Sequence, residues 1–152
     1  MSRIEKYQYY LEIAKAASKR SNCLKRHYGA VIVKNDEVIA TGYNGSPRGC
    51  INCCDVGKCN RLEKPHNSGD YSDCHSVHAE QNAMISASRN EMQDSVMYLY
   101  GEEFGKGLFV GTMEWNEIKN PEPCPICARM LLNAGIKYIF NNDNMISVKD
   151  FI

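Results

Sequence analysis

Two short segments constrain this chain more than anything else in it: His78-Ala79-Glu80 and Pro123-Cys124-Pro125-Ile126-Cys127. One imidazole and two thiolates are three ligands of a tetrahedral Zn²⁺. Three ligands leave the fourth corner to water, as a catalytic site requires and a structural one does not. Glu80 stands two residues after the histidine, beside the metal without being counted among its ligands. A carboxylate there can take a proton from water at the metal and hand it to a leaving group. The fold must therefore bring residue 78 to residues 124 and 127.

Local sequence supports both halves. Residues 77–89 are rich in helix formers and hold no Gly or Pro, which predicts a helix with His78 and Glu80 in its first turn. Residues 126–133 predict a second helix, with Pro125 suited to its first position and Gly135 just past its end. Cys124 and Cys127 then share one side of the opening turn, where the helix dipole and free N–H groups favour thiolates. Taken singly, His78 could be a surface histidine and the C-x-x-C a redox pair or half of a structural zinc site. The two segments together, with Glu80 and both prolines, point to catalysis.

A length of 152 residues suits one domain with a real core. The formal net charge of +0 argues against a general binder of nucleic acid or anionic membranes. Residues 1–20 are too charged for a signal peptide, and no apolar run approaches membrane length. With C-x-x-C and His present and no leader, the eight cysteines read as metal ligands in a reducing cytoplasm rather than as disulfides.

Apolar spacing predicts a first amphipathic helix from Ile4 to about Lys19. Tyr28–Lys34 reads as a buried strand, Asn35-Asp36-Glu37 as a turn, and Val38–Thr41 as the antiparallel return. Gly42–Cys74 lacks periodicity and is far longer than an ordinary connection, so it needs a fastener or a function. Ser95–Tyr100 reads as a central strand, Glu102–Gly107 as a turn, Leu108–Val110 as a short strand and Ile136–Phe140 as a last strand. The tail to Ile152 is left unassigned. A leading hairpin followed by alternating strands and helices predicts a mixed sheet with helices on both faces, and one domain over 1–152 with a Cys-rich insertion at 42–77.

His78-x-Glu80 with Pro123-Cys124-x-x-Cys127 matches the pattern of zinc-dependent nucleobase deaminases. From about Arg20 to Phe140 the chain resembles the deoxycytidylate (dCMP) deaminases of the cytidine deaminase superfamily. The features that carry this are Cys23 before Gly29-Ala30-Val31-Ile32, the stretch Thr41-Gly42-Tyr43-Asn44-Gly45-Ser46-Pro47-Arg48-Gly49, the block Asn52-Cys53-Cys54-Asp55, and Cys74 ahead of His78-Ala79-Glu80. The resemblance implies an α/β fold, a three-layer α/β/α sandwich with a mixed five-stranded sheet, assembled as a homo-oligomer, a hexamer. It implies hydrolysis of dCMP to dUMP and ammonia, supplying dUMP for thymidylate synthesis, with dCTP (as its Mg²⁺ complex) activating and dTTP inhibiting.

By the same resemblance the Ala79 backbone and the Cys124 region hold the pyrimidine edge, and Asn44 holds the sugar hydroxyl. Asn44 could equally be a turn residue before Gly45. Arg26 and Arg48, beside the matching motifs, are candidates for the 5′-phosphate, against the alternative of solvated surface charges. Cys23, Cys53, Cys59 and Cys74 match positions of a second, structural zinc; Cys54, His75, His66 or His27 could replace one of them, and free buried thiols are the plain alternative. Cys50 reads as unligated. Gly42, Asn44, Gly45 and Arg89 fall on the effector side, with Arg89 at the far end of the His78 helix. Its charge there could also simply serve the helix dipole. The rivals are a deaminase of dCTP, cytidine or tRNA adenosine, and a non-catalytic zinc-binding scaffold of the same fold. A scaffold has no use for an unligated Glu80.

Overall fold

The computed structural model describes residues 2–152. The elements in chain order are α1 (Lys6–Ser18), β1 (Arg26–Lys34), β2 (Glu37–Tyr43), α2 (Cys53–Val56), α3 (Ala79–Ile85), α4 (Arg89–Met92), β3 (Val96–Lys106), β4 (Met113–Glu117), α5 (Pro125–Ala134), β5 (Tyr138–Asn141) and β6 (Asn144–Ser147), with a closing 3₁₀ turn at Val148–Phe151. The sheet runs β2-β1-β3-β5-β6, and β4 pairs with the outer half of β3. Among the described residues only β3 and β5 pair in parallel, joined through α5, so the sheet is mixed as the order of elements predicts.

Alternation along the central strands builds two cores. Ala30 and Ile32 of β1, with Met97 and Leu99 of β3, face Ala79, Ala83, Ala128 and Leu131 of α3 and α5. Val31, Val33, Tyr98 and Tyr100 face Tyr10 and Ala14 of α1 on the other side. Helices therefore cover both faces, which is why these strands read as unbroken apolar runs. The β1–β2 turn uses Asn35 and Asp36, both left-handed at φ 52 and 62, the primed geometry that matches strand twist. Asp36 also binds Lys6 and the Tyr10 hydroxyl, tying α1 to that turn.

Four expectations need correction. The sheet has six strands rather than five, because the unassigned tail supplies β6. Glu102–Lys106 is strand and not turn: β1 pairs it through Arg26↔Glu103 and β4 through Phe104↔Trp115, and pairing on both edges overrides a turn-like composition. Leu108–Val110 lies in the exposed hairpin tip, and the strand starts later, at Met113. The single helix over 77–89 is two: α3 ends at Ile85, and Ser88 caps α4 by accepting from the Glu91 N–H at 3.1 Å while Glu91 reaches back to the Ser88 N–H at 2.9 Å. That reciprocal box starts a new helix where propensity alone would have continued the old one. Among the described residues, no helix is long and apolar enough to cross a membrane.

Candidate active site

His78 and Cys124 each cap a helix. His78 is extended (φ −73, ψ 154); its N–H donates to the Gln81 side chain at 2.9 Å and its carbonyl accepts from Asn82 N at 3.0 Å. Cys124 precedes Pro125, its sulfur accepts from the Cys127 N–H at 3.4 Å, and its carbonyl accepts from Ala128 N at 2.9 Å. α5 ends at Gly135, left-handed at φ 95, as the sequence indicates. Because α3 and α5 lie side by side on one sheet face, their N-termini meet.

His78 Nδ1 lies 3.6 Å from Cys124 Sγ and 3.3 Å from Cys127 Sγ, and the three donor atoms all fall within 4.8 Å of one another. Tetrahedral zinc bonds of about 2.3 Å to sulfur and about 2.0–2.1 Å to nitrogen place such atoms about 3.5 Å apart. The donor set thus fits Zn²⁺ in chemistry and in spacing. Hydrogen bonds from the Cys127 thiol and from His78 hold the Cys124 thiol down at about 4. Its bond to Cys124 and its burial push Cys127 up, and the Cys124 sulfur raises His78. The three donors thus perturb one another's protonation, and a bound metal would displace their protons in favour of thiolates. Glu80, 5 % exposed, is pushed up chiefly by burial, with His78 pulling the other way.

Glycine at position 42 is a packing necessity. A Cβ there would sit 2.4 Å from both Ala79 O and Ala83 N, so the missing side chain lets α3 rest directly on β2. Gly45 bridges Val77 through paired backbone bonds of 3.1 and 2.7 Å, fixing the chain just before His78. Asn44 is buried; its Oδ1 accepts from Tyr28 N at 2.8 Å and its Nδ2 donates to Arg26 O at 2.9 Å. Its amide therefore extends the β1 ladder beside the cleft.

A partly open cleft runs beside the trio. His78, Glu80 and Cys124 form one part of its wall, and Arg26, Asn44 and Cys23 are among the rest. Arg26 donates to the Tyr28 hydroxyl at 2.8 Å and to Glu103 at 2.9 Å. Arg48 is exposed and outside the cleft wall, and Arg89 is exposed at the start of α4, off the His78 helix. Cys23, Cys59 and Cys74 line the cleft; Cys53 lies with Cys59, Cys74 and His75 in an adjoining cavity. Cys54 N donates to Asn22 O at 3.0 Å, which sets the start of α2 against the Cys23 segment. Among the described residues these sulfurs do not close to 4.8 Å as the catalytic trio does. His27 is engaged elsewhere, stacked 3.6 Å from Trp115 and bonded to Cys23 O. Cys50 and Cys54 are exposed.

The long loop also has an anchor that its sequence does not advertise. Buried Arg61 donates to Asp73 at 3.3 Å and to the Ser68 hydroxyl at 3.2 Å, and lies 3.6 Å over the Tyr71 ring. Lys25 Nζ donates to Arg61 O at 3.0 Å and to Lys64 O, fastening the loop to the start of β1. With it Arg61, His66 and Tyr71 enter the cleft wall.

A family model described as the cytidine and deoxycytidylate deaminase zinc-binding region matches residues 4–141. The chain belongs to this deaminase family. Among the family's members, it is 36% identical over 132 residues to a deoxycytidylate deaminase of Schizosaccharomyces pombe, covering 86% of this chain and 35% of that one. It is 32% identical to a deoxycytidylate deaminase of Mycobacterium phage D29, covering 91% of this chain and 95% of the phage deaminase. The chain spans about a third of the length of the yeast deaminases it matches, 35% for S. pombe and 28% for Saccharomyces cerevisiae. The crystal structure of the cyanophage S-TIM5 dCMP deaminase with dCMP and dUMP superposes with a TM-score of 0.61 at 26% identity, covering 91% of this chain and 82% of the cyanophage chain.

Proposed function

We propose that this chain hydrolyses dCMP to dUMP and ammonia with Zn²⁺ held by His78, Cys124 and Cys127. The observation that carries this is a buried Glu80 beside a three-donor group of zinc dimensions. The choice of dCMP is supported by the relatives' names and by the cyanophage structure that holds dCMP and dUMP. The whole of 1–152 acts as one deaminase domain, and its eight free thiols suit a reducing cytoplasm.

Bound Zn²⁺ supplies a Lewis acid and lowers the pKa of water towards about 7. Glu80 takes the proton of the attacking water and places it on N3 of the cytosine ring, as the oxygen adds to C4. The same carboxylate then carries a proton to the C4 amino group, which leaves as ammonia while the carbonyl of dUMP forms. Burial raises the Glu80 pKa towards the working pH, which suits a group that must both accept and give. The Ala79 backbone and the Cys124 turn border the ring. Asn44 still has one N–H and one lone pair free of its two ladder bonds for a sugar hydroxyl. Arg26 remains the phosphate candidate that lines the cleft.

The test is turnover of the zinc-loaded chain on dCMP, dCTP, deoxycytidine and CMP, following ammonia. The highest kcat/KM is expected with dCMP; no turnover of any of them would leave a zinc-binding scaffold. The same assay examines control. Mg²⁺-dCTP should turn a sigmoidal dCMP curve hyperbolic and dTTP should reverse it, in a homo-hexamer. Exposed Ile85 and Ile126, at 75% and 57%, offer apolar contacts on α3 and α5 for such an assembly. Coupling through one rigid helix to Arg89 is not available, because α3 stops at Ile85; any role of Arg89 runs through α4.

A second, structural zinc is part of the same reading. Cys59 and Cys74 line two adjoining cavities, one shared with Cys23 and the other with Cys53, and the neighbouring sulfurs help raise the Cys23 thiol, mainly lifted by burial. Two zincs per protomer are expected by metal analysis. Cys59→Ala should lose one and expose residues 42–74 to protease while the His78 metal stays; one zinc in fully reduced wild type rejects the second site.

A further inference from the structure

Cys124 reaches the metal site at the end of a strap, residues 118–124, that leads from β4 to α5. Ile118 N donates to Gly101 O at 2.8 Å. From there to Cys124 O, which accepts from Ala128 N, the strap makes no hydrogen bond to other backbone among the described residues. Pro121 and Pro123 are buried and have no N–H to offer. Two asparagines at the end of β5 hold the strap instead. Asn142 Nδ2 donates to Asn120 Oδ1 at 2.9 Å on the surface, and Asn141 Nδ2 donates to Pro121 O at 2.9 Å in the interior. Asn141 is wholly buried, and its Oδ1 has no hydrogen-bond partner in the protein. A carbonyl can only accept, so the amide turns its nitrogen to Pro121 and leaves its oxygen unpaired. A leucine of similar volume would fill the same space without an orphaned acceptor. The bond to Pro121 therefore accounts for an asparagine here, and packing does not. Ile139, two residues earlier on the same strand face, packs in the core that holds Ala128 and Leu131 of α5. One strand thus supports both the body of α5 and the approach to it.

We infer that Asn141 is a positioning residue for the metal site, setting the place of the Cys124 sulfur through its bond to Pro121 O. The inference rests on the reading of His78, Cys124 and Cys127 as zinc donors and adds a residue that serves them. Asn141 is not one of the three donors and does not line the cleft, so it acts only through the strap. Pro121 stands three residues before Cys124, and the two prolines between them stiffen the link. Without the buried bond, the exposed Asn120–Asn142 pair is the only side-chain tie left on residues 119–123 among the described residues. Ordering Cys124 then draws on the free energy of metal binding. Glu122, which lines the cleft between the two prolines, is set by the same bond.

The test compares full-length wild type with Asn141→Leu in three readouts: thermal midpoint of the metal-free chain, Zn²⁺ affinity by chelator competition, and the absorption of the Co²⁺-loaded chain. Co²⁺ absorption reports the angles among its ligands, and a difference spectrum cancels any site the substitution leaves alone. Asn141→Leu is expected to keep or raise the metal-free midpoint, because it removes the orphaned oxygen. Zn²⁺ affinity should fall about tenfold, the lower end for residues that hold metal ligands in place, and the Co²⁺ bands should shift. At saturating Zn²⁺, kcat on dCMP should fall about tenfold as well. A lower metal-free midpoint with unchanged Zn²⁺ affinity and Co²⁺ bands would show a merely structural residue and overturn the inference, as would no change in any readout. If Asn141→Leu does not fold, Asn141→Asp keeps the shape and donates to Pro121 O only while protonated. Its Co²⁺ bands should then approach wild type as pH falls and depart as pH rises; bands that follow wild type throughout overturn the inference, as does failure of both variants to fold. The metal readouts need no substrate. A wild type that binds Zn²⁺ without deaminating dCMP overturns the dCMP reading and leaves this inference standing if the variant still loosens the metal; a wild type that binds no Zn²⁺ overturns both.

Discussion

Glu80→Gln is expected to lower kcat by at least about 100-fold while leaving zinc content and thermal stability close to wild type. The side chain is almost wholly buried beside the metal-binding trio but is not one of the three donors, so the amide keeps the shape and loses only the proton traffic. Burial already favours an uncharged group there, so a neutral glutamine adds no desolvation cost. The decisive pair of measurements is turnover and zinc stoichiometry on one preparation. Near-normal turnover with zinc in place would remove Glu80 from the mechanism, and lost zinc would make it a ligand instead.

Cys124→Ala should fail in the opposite order, with the metal lost first and activity with it. Two protein donors and water hold Zn²⁺ poorly, and the same sulfur also accepts from the Cys127 N–H at the start of α5. Losing that contact leaves the Cys127 N–H at the first turn of α5 without its acceptor. Elemental analysis after dialysis should find the catalytic zinc gone. A variant that retains zinc and half of its activity would contradict the three-donor assignment. Read side by side, the two substitutions separate holding the metal from using it.

How much of this was legible depended on whether the physics was local. His78 and Cys124 could be placed at helix starts because Pro125, Gly135 and the composition of residues 79–85 act within a turn or two of the chain. Their meeting followed from element order, since α3 and α5 both pack on one face of the sheet. The break at Ser86 is hidden in the sequence although Ser88 and Glu91 carry a capping box, because Ser-Ala-Ser-Arg suits a helix interior well enough to mask it. The length of β3 was hidden too: Glu102, Glu103 and Gly105 read as a turn until partners appear on both edges. Arg48 shows that adjacency to a motif in sequence does not carry a side chain to the cleft. Arg61 was beyond reach, since its partners at 68, 71 and 73 meet through irregular backbone with no period to detect.

The self-bonded loop around Arg61 has a consequence for how such an enzyme can change. The metal donors and Glu80 rest on α3, α5 and the β2 strand beneath Gly42, whereas Arg61, His66 and Tyr71 come from a segment held together largely by its own side chains. A segment of that kind can be exchanged, lengthened or remodelled as one cassette without moving the reacting centre. Residues 57–75 can then reshape part of the cleft wall while the reacting centre, and the Arg26 and Asn44 side of the wall, stay as they are.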